Sequence, residues 1–464
     1  MPDATASPNT SALNIQTTDQ LDTLPPPWLA EVLLIAQFWR ATGLLDRLQQ
    51  QVRVERGRMG RYLVADFVLV LLAYAASGEP TLQTFFAHLR PVASIVMAAW
   101  GREQAPHPAT LSRFLAALDA QSLEQLHQLL FADLLAHGLQ AQQCGGLFDR
   151  TGARWLVFDI DGTRACARQR AIPTSADYPK GRRRRPACAP GYTGKKRGEV
   201  VRTRLVIAQA HSGEWLGHLA CPGNGSGLAD LRQAGPQVCA YLLARGFAQH
   251  QGIVRLDGLY GTAGQVNTLV SQGLGMIVRY KDYRLLKLPW VMRCLAAGPT
   301  GHWRDPDTGV ERHVYDAGVL TDWPPSETGA CAPLRLVLTA RHHPEGEKVC
   351  IGRLQQGQLW ELFVTSLPQS GFTGVDVLNL YLGRGGLEVT LHHEDQQLQM
   401  DRWVSMTPHG QSFFQLLAQA VWNQRLWLGY QSTPDSQRTT VWSHSAAPVL
   451  AYAGPPAHSS TGAD

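Results

Sequence analysis

Three acidic residues sit where chemistry could gather. Asp161 closes the apolar run WLVFDID and is followed by Gly162 and Thr163. Asp257 closes GIVRLD and is followed by Gly258-Leu259-Tyr260-Gly261. Both runs read as short strands, and the strand ends of an α/β sheet are where polar groups leave the core and can converge on a ligand. A single carboxylate in such a place is commonly structural. Two at matching strand ends, with a third on a helix, suit a hard divalent cation, because Mg²⁺ prefers oxygen ligands and retains several waters. The third acid, Glu388, falls in Tyr381-Leu382-Gly383-Arg384-Gly385-Gly386-Leu387-Glu388. In a continuous helix, at about 100° per residue, Tyr381, Arg384 and Glu388 would share one face within roughly 60°. Phenol, guanidinium and carboxylate together suit a site that holds both metal and phosphate, since arginine offers phosphate a bidentate fork. The bland alternative is an exposed helix with an intrahelical Arg384–Glu388 pair, which contributes little. Gly385 and Gly386 speak mildly against it. Each would cost a plain helix about 1 kcal/mol and is better tolerated where backbone must approach something closely.

Other residues compete for attention. Asp159 lies two positions before Asp161, shares its strand face and could be the ligand instead; the Asp-x-Thr context favours Asp161. His392-His393-Glu394-Asp395 has metal-binding residue types, but neighbours on a helix diverge by about 100°, so a solvated face is the simpler reading. Trp303, Trp323 and Trp360 are each most simply core residues.

Charge is concentrated in one place. Between residues 178 and 204 stand Lys180, Arg182, Arg183, Arg184, Arg185, Lys195, Lys196, Arg197, Arg202 and Arg204 against Glu199 alone, a local +9 in a 464-residue chain whose total is +5. The remainder is therefore net acidic, and the segment suggests contact with an anionic polymer at a defined place. A solvated loop without a partner is the competing explanation. Eight cysteines are scattered with no CxxC pair, which supports neither a zinc knuckle nor a redox motif and is consistent with reduced thiols in a cytoplasm. The most apolar run, Phe67 to Ala76, is too short to span a bilayer, and no secretory signal is present at the N-terminus.

The elements that must position these residues follow from periodicity. Residues 1–25 are polar, end in Pro25-Pro26-Pro27 and read as a disordered tail. Residues 26–145 carry apolar positions at three- and four-residue spacings and predict a helical domain, either a packed bundle or a helix-turn-helix-like DNA-binding unit, with a helix start at Pro108-Ala109-Thr110. At Trp155 the period changes. WLVFDID, TRLVIAQA and EWLGHLA predict three consecutive strands, followed by a helix over 228–246 interrupted at Pro236, then strand, helix and strand through GMIVRY. That order predicts an α/β fold with a mixed sheet. Residues 285–370 predict a β-rich insertion, 371–430 a return to helix completing the domain begun at 150–284, and 441–464 a second disordered tail.

Asp-x-Thr at a strand end, Asp-Gly-x-Tyr-Gly after a later strand, and Tyr-x2-Arg-x3-Glu together resemble the bacterial insertion-sequence DDE transposases, particularly the insertion-sequence-four superfamily. The resemblance covers roughly residues 155 to 430. It implies an RNase H-like mixed sheet flanked by helices, with a β-rich insertion between the second Asp and the Glu, where this chain has 131 residues. It implies that Asp161, Asp257 and Glu388 bind two Mg²⁺ or Mn²⁺ ions, that Arg384 and Tyr381 grip DNA near the transposon end, and that the partners are double-stranded inverted-repeat ends and target DNA engaged by a homodimer. The family's Lys, six intervening residues after the Glu, falls on position 395, which is Asp. Arg402 or the basic segment could compensate, or this copy is impaired.

Two rival readings remain. Phe158-Asp159-Ile160-Asp161-Gly162-Thr163 also resembles the opening motif of haloacid-dehalogenase-type phosphatases, with Asp159 as nucleophile, Asp161 as general acid and Thr339 as the later hydroxyl. No downstream acidic pair of the kind such enzymes need is present. The other rival is a domesticated, non-catalytic DNA-binding protein. If the basic segment is a DNA surface, affinity falls steeply as salt rises, because phosphate contacts release counterions. A flat dependence in a binding titration across ionic strength would remove that role.

Overall fold

The computed structural model describes residues 26–55, 60–98, 101–102, 104–166, 189–192, 197–222, 227–320, 334–344, 346–349, 351–405 and 407–432, with backbone alone at 164–166, 189–192, 197–201 and 219–222. The chain divides into two compact units. One combines the described residues up to Leu129 with Asp395–Val421, and the other runs from Leu130 to Glu394 and resumes at Trp422. Residues 395–421, expected with the sheet, thus cluster with the N-terminal helices.

The first unit is helical. Its elements are α1 (Trp28–Ala41), α2 (Leu44–Gln51), α3 (Val64–Ser77), α4 (Leu82–Leu89), α5 (Ala93–Ala98), α6 (Pro108–Ala117) and the start of α7 (Ala120–His137). α3 is apolar nearly all round and buried along its length, as a central helix of a bundle must be. Phe67 of α3 stacks on Phe114 of α6 at 4.2 Å. α6 begins at Pro108, where the missing N–H costs nothing. Arg402 lies in this unit with its guanidinium 3.7 Å over the Tyr74 ring, donating to the carbonyls of Tyr74 and Glu79. Burial pulls its pKa down to about 10. It is occupied in packing, which removes it as the compensating phosphate cation. Among the described residues no single helix is long and apolar enough to cross a membrane.

The second unit is built on β1 (Leu147–Phe148), β2 (Arg154–Cys166), β3 (Ala189–Tyr192), β4 (Arg197–Gln209), β5 (Trp215–Pro222), α8 (Gly227–Ala244), β6 (Gly252–Leu256), α9 (Ala263–Ser271) and β7 (Gly275–Tyr280). Then come α10 (Pro289–Ala297), β8 (Gly301–Arg304), β9 (Glu311–Val319), β10 (Arg335–His342), β11 (Arg353–Gln355), β12 (Gln358–Thr365), α11 (Gly374–Leu382), α12 (Gly385–Leu398) and α13 (Pro408–Ser432), the last two passing between the units in sequence. β5, β4 and β2 pair antiparallel, while β6 and β7 run parallel to β2. This is the mixed, RNase H-like order expected. The strands between Asp257 and Glu388 do not form a sheet of their own. β12 pairs with β7, and β10, β9 and β8 continue outward, giving one sheet of twelve described strands. Pro236 lies inside α8 without ending it, contrary to the expected interruption.

Helices cover both faces. Phe158 points to one and meets Tyr241 of α8 edge-on at 5.7 Å. On the other, Val157, Ile253, Ile277, Val337 and Phe363 pack with Val377, Leu378, Leu380 and Tyr381 of α11. Within that layer lies a buried ion pair between the first two strands of the parallel part. Arg255 donates from Nε and Nη2 to the two Asp159 oxygens at 2.7 and 2.6 Å, and from Nη1 to the Leu380 carbonyl at 2.8 Å. Removing one partner leaves an uncompensated buried charge. Arg255→Met should cost about 3–5 kcal/mol in denaturant unfolding, while the double variant Asp159→Leu, Arg255→Met recovers most of it. Wild-type stability of the single variant would show that the pair holds nothing.

Candidate active site

The pairing that sets Asp159 beside Arg255 and Ile160 beside Leu256 carries Asp161 to the level of Asp257, one strand away on the same face. β2 carries Asp161 because its alternation buries Phe158 and Ile160 on one side and leaves 157, 159 and 161 on the other. Asp257 ends β6 and caps the short turn Gly258–Tyr260, its Oδ1 accepting the Leu259 N–H at 2.7 Å. Asp161 is half-buried. Its Oδ1 accepts the Gly162 N–H at 2.8 Å, and its Oδ2 accepts Nη2 of Arg384. Burial holds the Asp161 carboxyl above the ordinary carboxylate range; Arg384 pulls it down, while like-charged Asp257 pushes it up. Burial opposes the charge on Arg384 too, but Asp161 and Asp159 outweigh it and hold the guanidinium protonated more firmly than usual.

Tyr381, Arg384 and Glu388 are not on one continuous helix. α11 ends at Leu382, Gly383 closes it, and α12 starts at Gly385. Three glycines in four residues supply little helix propensity, which explains the break the periodicity did not disclose. Gly383 has a second reason to be glycine, because a Cβ there would lie 2.9 Å from Nη1 of Arg255. The break still delivers the three side chains to one place. Tyr381, Arg384 and exposed Glu388 line the same cavity of about 640 Å³ as Asp257, together with Arg279, Lys281 and Tyr283. Tyr381 is buried against Phe363, and burial keeps its phenol protonated above the usual range.

Arg279, Lys281 and Tyr283 were not anticipated. Arg279 sits on β7, its Nε 3.3 Å from Glu361 of β12 and its guanidinium 5.0 Å over the Tyr381 ring. Lys281 follows β7 directly and is exposed. Their signal in the sequence was a strand end carrying cations, GMIVRYK, beside the strand of Asp257 in the sheet.

Other candidates are placed elsewhere. Asp159, 1% exposed and saturated by Arg255, faces no open space, so it is not available as a nucleophile or a ligand. Thr339 is wholly buried in β10, separated from β2 by β6, β7 and β12. The phosphatase reading loses both residues. Trp303 belongs to the core and Trp360 packs against Tyr315, while Trp323 lies outside the described residues. Lys180, Arg182, Arg183, Arg184, Arg185, Lys195 and Lys196 also lie outside them, and Arg197 opens β4 with only its backbone described. Arg202 and Arg204, counted in the same basic run, are buried in the sheet, where Arg204 meets Glu394 at 2.8 Å. They are therefore not part of an exposed basic surface.

The donor set at Asp161, Asp257 and Glu388 is all oxygen, and burial with like charge at Asp161 is what a nearby cation relieves. Among the described residues no three metal-ligating side chains are gathered closely enough to hold an ion. The fit is thus in chemistry and placement, with Arg384 as the present counter-charge.

No family model matches the sequence, and neither does any curated protein. Among solved structures the chain is similar to a piggyBac transposase in a synaptic complex with hairpin DNA, at 10% identity and a TM-score of 0.43, covering 88% of this chain and 77% of that one. A likeness of that size leaves the reading of the site to its own geometry.

The electrostatics are directly testable. Arg384→Ala removes the charge that lowers the Asp161 pKa and should raise it further; Asp257→Asn removes the like charge and should lower it. Because the folded value already lies above the ordinary one of about 3.9, ionising Asp161 is disfavoured by the fold. Its contribution to stability is lost as pH rises through the raised value, and cation-binding competence is gained over the same interval. Carbon-detected NMR titration of the Asp161 carboxyl checks both signs; unmoved values in both variants would dissolve the assigned coupling.

Proposed function

We propose that this chain is a DDE-type DNA transposase, cutting and rejoining DNA at transposon ends with Asp161, Asp257 and Glu388. The observation that carries the reading is one cavity lined by Asp257, Glu388, Arg279, Lys281, Arg384 and Tyr381, with Asp161 joined to it through Arg384. Carboxylates alone would suit a cation, and cations alone an anion. Both signs facing one open space suit a phosphodiester processed with the help of divalent ions. The sequence resemblance points the same way.

In this reading Asp161, Asp257 and Glu388 would hold two Mg²⁺ or Mn²⁺ ions, which when bound supply Lewis acidity to the phosphoryl group and to its attacking and leaving oxygens. The remaining work belongs to the chain itself. Arg384 exchanges Asp161 for a phosphate oxygen when DNA enters, and its planar fork fixes the phosphate's orientation. Tyr381, kept protonated by burial, remains a hydrogen-bond donor at neutral pH. Cleavage forms a new P–O bond from water as a bridging P–O bond breaks and leaves a 3′-hydroxyl; in joining, that hydroxyl forms a P–O bond to a target phosphorus as the target's bridging P–O bond breaks and a target 3′-hydroxyl leaves. Two protomers, each on one inverted-repeat end, form the working assembly.

The test is incubation of the purified chain with duplexes carrying the inverted repeats that flank its gene, in Mg²⁺ or Mn²⁺ and in EDTA. Metal-dependent nicking that falls to the EDTA background in Asp257→Ala and Glu388→Ala is expected. DNA binding with no metal-dependent cleavage at all would favour a non-catalytic DNA-binding protein.

A further inference from the structure

Three cations line the cavity among the described residues, and two already have carboxylate partners. Arg384 is held by Asp161, and Arg279 by Glu361 with the Tyr381 ring beneath it. Lys281 differs. It is exposed at the end of β7, and among the described residues no carboxylate pairs with it. It lies close against the backbone at Gly258. A Cβ added at Gly258 would come within 2.6 Å of Lys281 Cε and 3.2 Å of the Arg279 carbonyl, so the lysine stem lies across the residue that follows Asp257. An ammonium group with no carboxylate partner among the described residues, lining the cavity that Asp257 also lines, is available to an anion from outside.

We infer that Lys281 binds a DNA phosphodiester at the Asp257 end of the cavity, next to the phosphate that reacts, and so sets the register of the strand. The inference rests on the transposase reading for the identity of the polymer, while its basis in the structure is a cavity-lining cation with no carboxylate partner among the described residues, and the Gly258 contact. Arg384 would grip one phosphate and Lys281 a neighbour, fixing the strand at two points.

The test separates this inference from the reading it rests on. Binding of a duplex taken from the DNA flanking the gene is titrated in EDTA across ionic strength, so that no cleavage is required. Lys281→Ala and Lys281→Gln should each reduce the slope of log affinity against log salt by about one, the loss of a single phosphate contact, while Lys281→Arg preserves it. Neutral methylphosphonate linkages placed one at a time should reveal a position that weakens the wild type and leaves Lys281→Gln unaffected. An unchanged slope in Lys281→Gln, or identical methylphosphonate profiles in both proteins, overturns the assignment. Failure of the wild type to cut in Mg²⁺ or Mn²⁺ would instead overturn the transposase reading, and the EDTA titration would still decide whether Lys281 meets a phosphate.

Discussion

The buried pair between Arg255 and Asp159 is the constraint on which the site depends. Desolvating two charges costs several kcal/mol each, and only good geometry with further hydrogen bonds offsets it. Here the guanidinium meets both carboxylate oxygens and then a backbone carbonyl at the end of α11. Three elements are tied at one point. A one-residue slip of β6 against β2 would turn Arg255 to the opposite face and strand both charges, so the register is strongly specified. Three members of the site then lie a step or two from this knot. Asp161 is two residues beyond Asp159, Asp257 two beyond Arg255, and Tyr381 one beyond Leu380. The structural pair and the candidate functional pair are successive rungs of one parallel ladder.

Those rungs differ in what surrounds them. The first is closed by apolar side chains and can use a salt bridge only for architecture. The second opens on the cavity, where α11 ends and the backbone turns through Gly383. Asp161 is left with Arg384 as its counter-charge and Asp257 as a like-charged neighbour. Arg384 lines open space, whereas Arg255 is enclosed. The same chemistry, carboxylate with guanidinium, is enclosed at one depth and open to the cavity at the next.

Much of this was legible in the sequence, and the exceptions have physical reasons. Period-two alternation disclosed β2, β4, β5, β6 and β7, and hence the mixed sheet with Asp161 and Asp257 at strand ends. Whether Asp159 or Asp161 faces the site was not legible, because the arginine that decides it lies 96 residues away in the chain. The helix carrying Tyr381, Arg384 and Glu388 was read as continuous, since periodicity cannot see a break of a single turn that preserves the side chains' convergence. Arg202 and Arg204 were counted with a basic run, yet they occupy strand positions buried in the sheet, and a sum of charges does not distinguish inward from outward residues. Arg279 and Lys281 escaped notice because their relation to Asp257 is created by strand order, not by spacing.

The strands inserted between Asp257 and Glu388 show how the larger sheet serves the smaller site. β12 joins the edge of β7 and places Glu361 beside Arg279. Glu361 also receives Arg312 from β9, so one buried carboxylate is shared by two guanidinium groups. Of these three, Arg279 is the one that lines the cavity. Strand pairing alone would have let the insertion attach anywhere along a free edge. Attachment at β7, with Glu361 at this height, holds Arg279 over Tyr381 at the cavity that Lys281 and Arg384 also line. The insertion therefore shapes the field of the site from within the same sheet that carries its carboxylates.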